Sequence, residues 1–180
     1  MIERAQAKAL AEGLEIDFAV ADAAKLPFSN ESFDVVSSNF GVIFAQDAQG
    51  AAHELTRVCR GRFGYTAWRA LPKLDALYAR FGREASIIEP RWSEDPGELL
   101  GDEFELSVHE RTWHLRGESG RAVLEFWERT APPTKAYLAS LDDDTRAQVR
   151  DALIEHWESY RDGEGISEPR KYVLAIGTRP

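Results

Sequence analysis

The spacing of apolar and polar positions changes several times along this chain, and each change marks an element. Ile2, Ala5 and Ala9 recur at near-helical intervals among strong helix formers, and Gly13 stands where a C-terminal cap belongs. A helix over 1–12, starting at Met1 itself, is predicted. Ile16, Phe18 and Val20 then alternate with Asp17 and Ala19, a period of two that predicts a strand over 16–21 running into Asp22 and the turn formers Pro27, Ser29 and Asn30. Residues 33–38 form a second strand, closed by the loop Asn39-Phe40-Gly41. Ala48, Ala51, Ala52, Leu55, Val58 and Cys59 make one amphipathic stripe, with Asp47 as N-cap and Gly61 as the stop. A third strand over 63–68 completes a βαβ unit, which implies parallel strands.

Leu74, Leu77, Tyr78 and Phe81 mark one face of a further helix, while 84–102, broken by Pro90, Pro96, Gly97 and Gly101, reads as connection with one short helix. Phe104, Leu106 and Val108 alternate, but the apolar phase has shifted by Trp113 and Leu115, which suggests a bend, a bulge or a strand end near Glu110; one long bent strand is predicted. Helices over 119–129 and 144–161 follow. Tyr172 to Ile176 is nearly all apolar, as a strand covered on both faces should be. The whole reads as one α/β domain over 1–180: about five mostly parallel strands, an antiparallel C-terminal strand, and helices on both faces.

Composition narrows the function classes. The 180 residues hold 22 Lys and Arg against 31 Asp and Glu, a net charge of −9, which disfavours nucleic acid and anionic membrane as partners. No apolar run approaches the roughly 20 residues of a membrane span, and residues 1–15 do not read as a secretory signal. The one cysteine, Cys59, excludes an internal disulfide and fits a reducing cytoplasm.

Open α/β sheets take ligands at the carboxyl ends of their strands, here Asp22-Ala23, Asn39-Phe40-Gly41 and Trp68. An acid followed by a free amide can read adenine, and an acid there is also an ordinary turn residue. Phe40 and Trp68 serve either a ligand pocket or core filling. Trp92, Trp113, Trp127 and Trp157 offer an aromatic acceptor pocket, although Trp127 and Trp157 sit on apolar helix faces that favour packing. The histidines are too scattered for a metal site, the serines lack nucleophile-elbow glycines, Asp142-Asp143-Asp144 reads as a helix cap, and Cys59 as a buried structural thiol.

Five runs carry a resemblance: Met1 to Ala5; Val20 to Ala23 with Leu26-Pro27-Phe28; Ser32 to Val36; Asn39 to Val42; and Glu54 to Gly61. In this order and spacing they resemble the class I S-adenosylmethionine-dependent methyltransferases of the small-molecule, ubiquinone-biosynthesis-like group. Residues 1–68 carry nearly all of it, and 69–130 correspond to a variable insert and substrate-side region. The resemblance implies S-adenosylmethionine as cofactor and a small-molecule acceptor. It also implies that Asp22 accepts from the adenine amine, Ala23 donates its amide to the adenine ring, and Leu26 packs on the adenine face. Asn39 and Phe40 would pass under the methionine portion, and Phe40 and Trp68 would look into the acceptor pocket. No catalytic residue is implied.

The family's opening strand with its glycine-rich turn, and the second strand whose terminal acid holds the ribose, have no counterpart in these residues. An N-terminally truncated sheet is therefore expected. The missing strands would leave a gap of roughly 14 Å. Strand 16–21 is expected to move beside 33–38, giving the order 16–21, 33–38, 63–68, 172–178, 104–115, and to offer a free edge for a homodimer. The alternative function is a non-catalytic binding or assembly module built on a truncated methyltransferase fold.

Overall fold

The structure, a computed structural model, describes residues 2–83, 88–101 and 103–180. Helix α1 (Ile2–Ala11) is followed by β1 (Phe33–Asn39), a 3-10 turn (Val42–Phe44), α2 (Ala48–Val58) and β2 (Cys59–Trp68). Then come α3 (Pro72–Arg80), the short α4 (Arg91–Glu94) and α5 (Pro96–Leu100), β3 (Glu105–Gly117), α6 (Gly120–Thr130), α7 (Pro132–Ala139), α8 (Asp143–Glu158), β4 (Arg161–Asp162) and β5 (Gly165–Thr178). Met1, the expected helix start, lies outside the described residues. The sheet runs β1-β2-β5-β3, with β4 beside β5. β1 and β2 are parallel, and β5 is antiparallel to β2, β3 and β4, so four strands share one direction and the C-terminal strand opposes them. The expected class, Rossmann-like α/β with an antiparallel C-terminal strand, is the observed one.

Local chemistry explains most boundaries. Asp47 caps α2 by accepting from the Gly50 amide at 2.8 Å, and Asp142 caps α8 through the Thr145 amide at 2.9 Å. Gly13 ends α1 with φ +66°. Gly61 does not stop α2, which passes into β2 at Cys59. It lies within β2, where a Cβ would come within 2.5 Å of the Asp34 carbonyl oxygen at the register shift between β1 and β2. A strand crossing needs that glycine, not a helix end. α7 was not legible, because Pro132 and Pro133 read as breakers yet occupy its first turn, where proline is tolerated.

Residues 14–21 form no strand, which corrects both the predicted strand 16–21 and its place in the sheet. Alternation supplies β propensity, but a strand also needs a paired edge, and Leu14, Ile16 and Val20 remain exposed. The fifth strand is β4, and the edges of the β1-β2-β5-β3 path are β1 and β3.

Two cores lie on opposite faces of the sheet. Phe63, Tyr65 and Ala67 of β2, with Val173 and Ala175 of β5, pack against α2, α4 and α5, where Tyr65 donates its hydroxyl to the Trp92 carbonyl at 2.9 Å. Ile166 of β5 and Leu115 of β3 pack instead under α3 and α6 to α8 with Leu124, Leu153 and Trp157. The buried parity of β5 therefore switches, from 166, 168 and 170 to 173, 175 and 177. This also explains the phase shift in β3. Residues 105–117 pair with β5 one to one with no bulge, and the apolar phase changes because the covering helices change faces.

Gly177 lies against the Phe63 ring and leaves no room for a methyl group. Gly177→Ala is expected to lower unfolding free energy by about 1–3 kcal/mol through overpacking, measured by urea denaturation.

Candidate functional site

The parallel strands β1 and β2 end side by side. Beyond β1, Phe40 adopts φ +52°, unusual for a bulky residue. Three contacts hold it there. Its amide donates to Thr66 Oγ1 at 3.0 Å, the same hydroxyl donates to Asn39 Oδ1 at 2.9 Å, and its ring stacks on Trp68 at 4.1 Å with planes 13° apart. Tyr172 meets both rings edge-on, and Trp113 lies 5.9 Å from Trp68. Asn39, Phe40 and Trp68, proposed from sequence, are thus one cluster. Thr66 was missed because a strand threonine carries no positional signal.

Asp22, Ala23 and Leu26 sit on a separate loop. Asp22 is exposed, and its Oδ1 accepts from the Ala24 amide at 2.9 Å in a tight turn. Ala23 packs on the first core, and Ala24 abuts Gly50 in the first turn of α2. The loop is pinned by Glu54 and Arg57 of α2. Glu54 accepts from the Leu26 amide at 2.7 Å and from Arg57 at 2.6 and 2.7 Å. Arg57 also donates to the carbonyls of Leu26 and Phe28 and to Asn30 Oδ1. The Arg57 hydrogen bonds, opposed by burial and aided by the Leu26 amide, hold the Glu54 carboxyl down at about 2.

Beside Trp68, on the face covered by α3 and α6 to α8, a cavity of about 760 Å³ is walled by Phe44, Leu71, Leu74, Tyr78, Trp127 and Trp157, among other largely apolar groups. Asp75, Arg83 and Arg170 are its charged lining residues. Arg170 is compensated: its guanidinium donates to Glu168 Oε2 at 2.9 and 2.7 Å, in a buried network where Trp157 Nε1 donates to Oε2 and His156 Nε2 approaches Oε1 at 3.1 Å. Burial alone would raise the Glu168 carboxyl, but His156 and Arg170 outweigh it and hold it low. A second, more polar recess of about 620 Å³ lies between α1 and residues 14–18, away from the strand ends.

Of the sequence-proposed tryptophans, Trp127 and Trp157 line the cavity, with Trp157 also fully packed in the second core, while Trp92 is wholly core and Trp113 is half-exposed. The cavity extends past the predicted substrate-side region 69–130 to Pro132, Pro133, Thr134, Trp157 and Arg170. Asp75, Arg83 and Arg170 had no motif to announce them. Among the described residues no group of three metal-ligating side chains occurs, and no helix is long and apolar enough to cross a membrane. Cys59 is buried, its thiol directed to the Arg62 carbonyl.

Residues 1–62 match the family model described as "Methyltransferase domain". A 92-residue stretch is 40% identical to an uncharacterized protein of Mycobacterium tuberculosis, covering 50% of this chain and 31% of that protein. The match thus spans about a third of the length of such curated relatives. Among solved structures, the YcgJ protein of Bacillus subtilis superposes with a TM-score of 0.62 at 21% identity, over 99% of this chain and 78% of that one. A candidate methyltransferase of Bacillus halodurans gives 0.54 at 17% identity, over 97% and 86%. At these identities the structural likeness is one of fold.

Because Glu54 titrates lower in the folded protein than in the unfolded chain, its contribution to stability is complete above about pH 4.5 and is lost as pH falls toward 2. Denaturation midpoints measured from pH 6 to pH 2.5 are expected to fall for the native chain and to fall less steeply for Glu54→Gln, which starts from lower stability at neutral pH.

Proposed function

We propose, from the premise that this chain has the class I S-adenosylmethionine-dependent methyltransferase fold and matches the methyltransferase-domain model over residues 1–62, that it serves in methyl transfer from S-adenosylmethionine to a small-molecule acceptor. The observation that carries this reading is the apolar cavity opening beside Trp68 at the carboxyl ends of the parallel strands.

The residues present fit one end of the cofactor. Asp22 keeps one carboxylate oxygen outside its own turn for the adenine amine, Ala23 offers the neighbouring amide, and Leu26 supplies the apolar face. Asn39 and Phe40 form the floor toward the methionine end. No described residue stands as an acid at the end of a second strand to hold the ribose, and no glycine-rich turn faces the methionine. When bound, the cofactor supplies an electrophilic sulfonium methyl group.

This chain's share of the chemistry is positional, apart from one proton acceptor. The Phe40–Trp68 stack forms a rigid wall against which an acceptor is oriented, and the apolar cavity excludes water from it. Asp75 is the only carboxylate among the described cavity-lining residues, and its oxygens receive the proton an acceptor O–H or N–H gives up. The buried thiol of Cys59 fits a reducing cytoplasm. Self-association to a homodimer uses the free edge of β1.

A second reading is a binding or assembly module without catalysis. Calorimetric titration of the purified chain with S-adenosylhomocysteine separates the two. The first reading expects micromolar to submillimolar binding, weakened about tenfold in Asp22→Ala by loss of a charge-assisted hydrogen bond. No heat up to millimolar ligand supports the module.

A further inference from the structure

The charges on the cavity wall are unequal in their compensation. Arg170 is neutralised by Glu168 on its own strand. Arg83 meets no carboxylate among the described residues. Its guanidinium lies 4.6 Å from the Tyr78 ring centroid and 5.1 Å from that of Tyr137. Two aromatic faces attract a cation and fix its position, but they do not cancel its charge. Burial raises the Tyr78 phenol above its ordinary value and Tyr137 likewise, so both rings are neutral at physiological pH and the charge of Arg83 is offset by no described carboxylate. A half-buried guanidinium at the edge of an apolar cavity is a strong receptor for one anionic group, which it can bind bidentately.

The two lining charges without an ion-pair partner among the described residues stand at opposite ends of α3. Asp75 is in its first turn, close in sequence to Trp68 and the strand ends, and Arg83 lies just past its C-terminus. Between them the walls are Leu74, Tyr78, Trp127 and Trp157, surfaces suited to a flat apolar body. The volume, about 760 Å³, falls within the roughly 300–1,000 Å³ of small-molecule sites.

We propose that the cavity selects an aromatic acid, its ring held among Tyr78, Trp127 and Trp157 and its carboxylate paired with Arg83, so that the opposite end of the molecule points toward Asp75 and Trp68. This names the acceptor class within the methyltransferase reading and rests on it for the chemistry, but not for the binding.

The test uses a matched pair of probes, 2-naphthoate and 2-naphthylmethanol, which share a ring and differ in charge. Calorimetry on the purified chain is expected to show naphthoate binding at least tenfold tighter than the alcohol. Arg83→Gln abolishes that preference while leaving the alcohol's affinity within about twofold, and Arg83→Lys retains part of it. Leu74→Trp, which fills the cavity, weakens both probes. Equal affinity of the native chain for the two probes, no binding of either, or a preference that survives Arg83→Gln overturns the proposal. The native-chain comparison stands even if a variant fails to fold. Naphthoate binding without S-adenosylhomocysteine binding would sink the methyltransferase reading and leave the aromatic-acid site standing, and the reverse result would sink the site alone.

Discussion

Strand β5 is the constraint on which the rest of the chain depends. All fourteen of its residues pair, first with β4 and β3 and then with β3 and β2, so the last segment of the sequence is the middle of the sheet. It joins two cores that share no helix: Ile166, Glu168 and Arg170 point into one, and Val173 and Ala175 into the other. Removing the C-terminal strand would separate β3 from β2 and expose both cores at once, because the described strand pairing between the two halves of the chain passes through it.

Two buried ion-pair nodes then fix what the sheet alone leaves free. Glu54 and Arg57 fasten residues 26–30, a stretch with no secondary structure, to the side of α2. Glu168, with Arg170, His156 and Trp157, ties α8 to β5 beneath the cavity. Both carboxylates are buried, and both are satisfied by several donors, which is the condition under which a buried charge is tolerated. The first node positions the loop of Asp22 and Leu26. The second gives the cavity a stiff wall in which Arg170 is already neutralised, leaving Arg83 as the cation a ligand would meet.

The site is therefore assembled from pieces of different origin. The floor, Asn39, Phe40 and Trp68, belongs to the parallel strand ends and is held by Thr66 and by ring stacking. The walls come from α3, α6, α7 and α8, elements whose sequences show ordinary amphipathic or proline-led helices and no motif. Phe40, kept at positive φ by its amide bond to Thr66 and its stack on Trp68, gives the strand ends a rigid surface.

By itself the sequence determined the elements whose signals are local. The α2 stripe with its Asp47 cap, the Asp142 cap of α8, the βαβ unit and the apolar C-terminal strand all follow from spacing within a few residues, and the family resemblance follows from short runs in order. Tertiary structure decided everything that needs a partner. Residues 16–21 alternate as a strand should, but no edge pairs with them, so they are not one. Gly61 reads as a helix stop and is instead a close approach to Asp34. The phase shift in β3 reads as a bend in one long strand and is instead a change in which face the helices cover. The cavity unites residues as far apart as Phe44 and Arg170, and no local spacing records that meeting. Periodicity reports which side of an element is apolar, whereas pairing, burial and charge compensation depend on what the rest of the chain brings against it.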